Sequence, residues 1–201
     1  MKADRLRRRA PRRPIGLLVA LAASLLPAAA GGAPLSLPPL PPRWPTVLHL
    51  GMAEGPGGAA SLRASAPFGF RYQYLGGGVN TGAGWAVVTP MLVTEYIQES
   101  IDHGLVPVFP YYQMVQSAPG HGQSEADANA TNLQTPETMA AYYADLRHFF
   151  QRAADFPDRL VVLHVEPDLW GYVQQRWGDD ASAAPARVAA SGVAELAGLP
   201  D

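Results

Sequence analysis

The sequence predicts an α/β fold, a (β/α) barrel of TIM type represented by its N-terminal half of about four βα units. Three observations predict it. After residue 45, short apolar runs of strand length alternate with stretches of helical periodicity. The runs are bounded by glycine and proline. The chain has 201 residues, whereas a complete barrel typically takes ~250. A small open α/β sheet is the alternative.

Residues 46–52 (Thr-Val-Leu-His-Leu-Gly-Met) form an apolar run stopped by Glu54-Gly55-Pro56-Gly57-Gly58 and supply the first strand. Residues 70–75 alternate aromatic or apolar with polar side chains, the strand period, and end at Gly76-Gly77-Gly78. Thr89-Pro90 offers an N-cap and a first-turn proline, Leu92, Tyr96, Ile97 and Ile101 recur at helical spacing, and Gly104 stands where a C-terminal glycine belongs. One helix is therefore expected over 90–103. Residues 105–111 read as a buried strand, although Pro107 and Pro110 each remove a ladder donor. Thr135-Pro136-Glu137 opens a second helix with Met139, Tyr142, Leu146, Phe149 and Ala153 on a broad apolar face, closed by Phe156-Pro157-Asp158. Residues 160–165 make a nearly continuous apolar fourth strand. The alanine-rich stretch 181–199 is either one helix behind Ser182 or a loop.

Seven of the fifteen basic residues precede the first apolar run, Ile15 to Leu26, which is followed by Pro27-Ala28-Ala29-Ala30. This is the pattern of a secretory signal peptide over residues 1–30, cleaved after Ala30. The run is too short for the ~20 residues of a membrane-spanning helix. The mature protein is thus expected to be secreted or periplasmic with no membrane span, an uncleaved anchor being the alternative. Residues 31–45 are a proline-rich linker that favours extended polyproline conformation, and residues 46–201 are the partial barrel domain. Residues 31–201 carry eight basic against sixteen acidic side chains, which argues against a nucleic acid partner. The absence of cysteine removes disulfides and thiolate metal sites.

In α/β folds the working residues gather at the C-terminal ends of the strands, which singles out residues 165–172. Alternation along the fourth strand puts Val162, His164 and Glu166 on one face, with Asp168 one proline later. Two carboxylates beside aromatic rings suit sugar chemistry, because glycoside hydrolysis needs one carboxyl held protonated and another ionised. Trp170, Tyr172 and Trp177 are candidate sugar platforms, as are Tyr111, Tyr112 and Trp85. Asn80, in the glycine-rich stretch 76–85, is a candidate polar contact. That stretch satisfies neither nucleotide-binding glycine pattern and is expected to be a flexible rim loop. The expected partner is a polysaccharide or oligosaccharide, with no cofactor and no metal.

An apolar strand ending in tyrosine, a polar loop, a helix, an apolar strand and Glu-Pro-Asp resemble, in that order, the central part of glycoside hydrolase family 6, inverting cellulases with a distorted β/α barrel. The matching pieces are Val106-Pro107-Val108-Phe109-Pro110-Tyr111-Tyr112, then Met139 to Phe156, then Leu160 to Leu169, over roughly sixty residues. The resemblance implies that Asp168 is the general acid and that Tyr111 or Tyr112 meets the distorted sugar. It departs where the family follows that tyrosine with Arg-Asp-Cys, whose aspartate supports the acid. Here the loop reads Gln113-Met114-Val115-Gln116-Ser117, and carboxylates come only at Glu125 and Asp127. Either those two substitute, or the fold serves a different reaction, or activity is lost. By analogy with retaining barrel glycosidases related to the family 5 cellulases, Glu166 at the end of the fourth strand is a second candidate acid/base.

Each candidate has a plainer reading. Glu166 and Asp168 serve equally to cap the following helix, and His164 and His49 are more ordinarily core histidines. His121, Glu125 and Asp127 have the residue types of a metal site without a legible second shell. Asn129-Ala130-Thr131 fits a glycosylation acceptor.

Overall fold

Four parallel strands make one sheet whose neighbours follow chain order: β1 (Gly51–Ala53), β2 (Phe70–Tyr72), β3 (Val106–Tyr111) and β4 (Val162–Val165). Between them lie α1 (Ala59–Ser65), then α2 (Trp85–Val88) and α3 (Leu92–Asp102), then α4 (Glu125–Leu133) and α5 (Pro136–Ala154), and after β4 comes α6 (Leu169–Trp177). The α/β class and the βα alternation are therefore present, in an open sheet with β1 and β4 at its edges. This computed structural model describes residues 39–201. The expected signal peptide and most of the proline-rich linker fall in residues 1–38, outside the described residues. Among the described residues no helix is long and apolar enough to cross a membrane.

The two prolines of β3 are accommodated by where they fall. Pairing of β2 with β3 keeps one register, Phe70↔Val106, Tyr72↔Val108 and then an isolated bridge Leu75↔Tyr111. The ladder lapses beside Pro110, which has no N–H to give, and resumes where the Leu75 N–H reaches the Pro110 carbonyl at 2.9 Å. Pro107 stands one residue ahead of the first β3–β4 pair, Val108↔Val162. The first strand starts later than its apolar run: Val47, Leu48 and Leu50 stay exposed, and pairing begins where the Leu50 carbonyl accepts the N–H groups of Gly69 and Phe70.

Helices α3 and α5 cover one face of the sheet. Phe109 lies at its centre, with ring centroids 5.3 Å from both Tyr96 of α3 and Phe149 of α5, all three fully or nearly buried. Strand alternation therefore turns Phe70, Tyr72, Val106, Val108 and Val162 to the opposite face. In β2 this inverts the usual pattern, because Arg71 points into the helix-covered side and is completely buried. Its guanidinium donates to Ser100 Oγ (2.8 Å), the Tyr96 carbonyl (3.0 Å) and Glu99 Oε2 (2.8 Å), and lies 3.8 Å from the Tyr96 ring centroid. Glu99 in turn accepts the amides of Gly57 and Ala59 at the start of α1, each at 3.0 Å.

Two helix starts differ from expectation for local reasons. Thr89 closes α2 instead of opening α3, its N–H and its hydroxyl both donating to the Trp85 carbonyl at 2.9 and 3.1 Å. Gly104 ends α3 as expected, at φ +66. Helix α4 lies in what reads as a polar loop, and its signal is Ser124-Glu125-Ala126-Asp127: Ser124 Oγ accepts the Asp127 N–H at 3.3 Å and donates to Asp127 Oδ2 at 2.7 Å. Stretch 181–199 is no single helix. It forms three short 3₁₀ turns, interrupted by Pro185 and by Gly192 at φ +76.

Removing the central aromatic should be severe, so Phe109→Ala is expected to cost about 3–5 kcal/mol, read as a lower denaturant midpoint. The Arg71–Glu99 pair predicts an acid dependence as well. Burial works to raise the Glu99 pKa, but hydrogen bonds from Arg71 and the Ala59 and Gly57 amides prevail and lower it from 4.5 to about 2. A depressed native pKa stabilises the fold above the unfolded value and loses that contribution as pH falls toward about 2. Urea midpoints measured across that window should fall for the native protein and stay flatter for Glu99→Gln.

Candidate functional site

The exit of β4 is built around Glu166. Its residue is 1% exposed and its backbone adopts φ +46, a left-handed conformation that non-glycine residues rarely take. That turn ends the strand alternation. The Glu166 side chain therefore does not share a face with Val162 and His164 but accepts the N–H groups of Gln113 and Met114 on Oε1, both at 3.0 Å, with the Tyr142 side chain of α5 close by. Its own N–H donates to the Tyr111 carbonyl at 2.8 Å. Burial raises its pKa from 4.5 to about 7, against the lowering effect of the two amides and Tyr142.

The turn that Glu166 holds organises the loops around it. Asn132 of α4 donates to the carbonyls of Met114 (2.6 Å) and Ser117 (2.8 Å) and accepts the Gly120 N–H (2.9 Å). Gln113 Oε1 accepts the Gly78 N–H at 2.7 Å, and Ser117 Oγ accepts the Val79 N–H at 3.0 Å. The glycine-rich stretch is thus docked against the loop after β3, which corrects its reading as a flexible rim. Gly77 and Gly78 have φ +98 and +79, and a Cβ on either would run into backbone, of Ala83 and Gln116 respectively. Asn80 spends both ends of its amide on residue 118, accepting its N–H and donating to its carbonyl at 2.8 Å each. With a longer contact from its Nδ2 to Thr138 Oγ1 at 3.4 Å, it serves as a loop fastener.

Several other expected site residues lie behind the sheet. Tyr111 is fully buried and donates to Asp145 Oδ2 at 2.6 Å, and Trp85, 3% exposed, donates to the same oxygen at 2.9 Å while stacking on His148. Neither can serve as a sugar platform from there. Burial first, and then the Asp145 charge and hydrogen bond, push the Tyr111 hydroxyl far above its ordinary pKa. His164 is exposed and pairs in register with Pro110, so it is no core histidine. His49 leans edge-on against Phe70, with centroids 6.0 Å apart. Trp170 is more than half exposed and donates to the Val165 carbonyl at 3.0 Å.

What the fold brings together is Tyr112, Glu125, Asp168 and Tyr172. Glu125, at the start of α4, accepts the Tyr112 hydroxyl at 3.2 Å on one oxygen and the Tyr172 hydroxyl at 2.8 Å on the other. Asp168 precedes α6, exposed and without a capping hydrogen bond from its side chain. Its charge reaches both tyrosines. The Tyr112 hydroxyl is raised by burial, then by Glu125, then by Asp168, and Tyr172 is raised first by its hydrogen bond to Glu125, with Asp168 again contributing. This cluster of two exposed carboxylates and two phenols forms the mouth of the sheet, beyond the ends of β3 and β4. Tyr74, half exposed, extends it, with its ring 6.3 Å from Tyr112 and 6.1 Å from Tyr72. Sequence reasoning passed over Tyr72 and Tyr74, whose alternation in 70–75 was the available signal.

Asp127 instead bonds to Ser124 and to Arg176 (2.9 Å), so the expected trio of His121, Glu125 and Asp127 is dispersed, and among the described residues no group of three such side chains could hold a metal ion. Asn129 is 4% exposed inside α4, which closes it to a glycosyl transferase. An apolar hollow of about 380 Å³ lies between α5, α6 and β4, lined by Tyr142, Leu146, Val165, Leu169 and Val173 among others. Its lining includes no carboxylate.

The docked glycine loop is expected to tolerate no Cβ: Gly78→Ala should destabilise the fold by more than about 1 kcal/mol, visible as a drop in urea midpoint. Comparison of the chain with known protein families, with curated proteins and with solved structures finds no match.

Proposed function

We propose that the chain belongs to an exported protein of glycoside hydrolase type, acting on a polysaccharide or oligosaccharide, with Asp168 as proton donor. The observation that carries the reading is that Glu125 accepts the Tyr112 and Tyr172 hydroxyls while the Asp168 charge acts on the same two phenols, at the C-terminal ends of adjacent parallel strands. Glu125 then takes the place of the loop aspartate that glycoside hydrolase family 6 supplies after its tyrosine. Glu166, buried and committed to two amides, is set aside as the acid. Sequential order of four parallel strands, with α3 and α5 on one face, supports the barrel architecture. The charged leader and small-residue cleavage pattern of residues 1–30 support export.

A second reading, carbohydrate binding without turnover, is favoured by one observation: Tyr72, Tyr74 and Tyr112 form a continuous aromatic row leading into the mouth. Hydrolysis of a soluble glucan separates the two. Asp168→Asn is expected to lower kcat by about 10²–10⁴-fold while binding persists. Binding with no turnover by the native protein supports the second reading, and neither binding nor turnover with any soluble glucan sinks both.

A further inference from the structure

We propose that Glu166 is a proton-linked latch: a positioning residue whose carboxylate, by holding the Gln113 and Met114 amides, fixes the exits of β3 and β4 and so sets Tyr112 against Glu125 and Asp168. Its bearing on Asp168 rests on the glycoside hydrolase reading, whereas the latch itself does not.

The geometry is that of a clamp with one moving proton. Glu166 is fully enclosed, and its carboxylate accepts the N–H groups of Gln113 and Met114 from the turn after β3, with the Tyr142 side chain close by. The titratable and charged groups around it are Tyr111 from β3 and Tyr142 from α5, with Asp145 of α5 beyond them and Asp168 two residues on. All are neutral or negative, and among the described residues no salt bridge reaches Glu166. A buried anion without a cation is held by hydrogen bonds alone, so protonation stays within reach near neutral pH. The neutral acid keeps one carbonyl oxygen for the two amides, with bonds weakened because charge-assisted hydrogen bonds are roughly twice as strong as neutral ones. The latch therefore slackens on protonation without letting go. Glutamine reproduces that slack state: its Oε1 accepts the same two amides without a charge.

The linkage has a definite sign. The native pKa of about 7 lies above the unfolded 4.5, so the native chain holds a proton across that window that the unfolded chain does not. The Glu166 contribution to stability is fullest below 4.5 and is lost as pH rises toward about 7.

The experiment follows the amide resonances of Gln113 and Met114 in the whole chain from pH 5 to 9 by ¹H–¹⁵N NMR, with Glu166→Gln and Glu166→Ala beside the native protein. Both native amides should shift together with a midpoint near 7. Glu166→Gln should fold, abolish that titration and remove the decline of the urea midpoint over the same range. Glu166→Ala should lose hydrogen-exchange protection at both amides and shift the Tyr112 ring signals. Native amides that do not titrate, or a titration that survives in Glu166→Gln, would overturn the proposal. Absence of glucan hydrolysis would overturn only the glycosidase reading, since these signals need no substrate.

Discussion

A carboxylate taken out of water must be met by donors, and at Glu166 the donors are backbone amides of a neighbouring strand's exit. That requirement couples pieces of the chain more than fifty residues apart. With the 113–114 turn fixed, Asn132 can anchor α4 to it, Gln113 and Ser117 can receive the glycine-rich stretch, and Asn80 can fasten the loop at residue 118. Placement of Glu125 opposite Tyr112 follows from the same turn, because Tyr112 immediately precedes it and α4 is bound to it. The left-handed backbone at Glu166 is the conformational strain that aims the carboxylate inward.

Below this mouth the sheet is stabilised by a different device. Arg71 and Glu99 form a pair whose buried member also stacks on Tyr96, and whose exposed member receives the first amides of α1. Buried ion pairs hold a fold only when their remaining hydrogen-bonding atoms are largely satisfied, and Arg71 satisfies Nε and Nη2 while Nη1 is buried without a partner. The aromatic set of Tyr96, Phe109 and Phe149 packs alongside and supplies the apolar burial. Polar knots at the strand ends and apolar packing between them thus divide the work of holding loops and holding the sheet.

The legible part of the site was its chemistry and its address. Asp168 after an apolar strand, Tyr112 at the end of another and Tyr172 four residues beyond Asp168 could all be found, because each follows closely on the exit of a strand. Glu125 could be named only as a carboxylate of undetermined role. Its partnership depended on α4, whose Ser-x-x-Asp capping signal is brief and whose apolar face is weak, with Ala128, Asn129 and Asn132 buried where leucines would announce a helix. Tyr111 and Trp85 misled for the opposite reason: aromatic residues beside a polar loop look like a binding surface, and only the direction in which they point shows that Asp145 holds them in the core.

By itself the sequence determined the α/β class, the four strands with the helices α3 and α5, and the strand exit at which carboxylates and tyrosines concentrate, because periodicity and glycine or proline punctuation are local signals. Only the tertiary structure decided which side each residue serves. Alternation states that neighbours in a strand oppose one another but not which set is buried, so Arg71 could be read as surface and Phe70 as core until α3 and α5 were seen to cover one face. At Glu166 even alternation fails, since a single positive φ, stabilised by amides from a distant loop, reverses the side chain and turns a candidate acid into the support of the site.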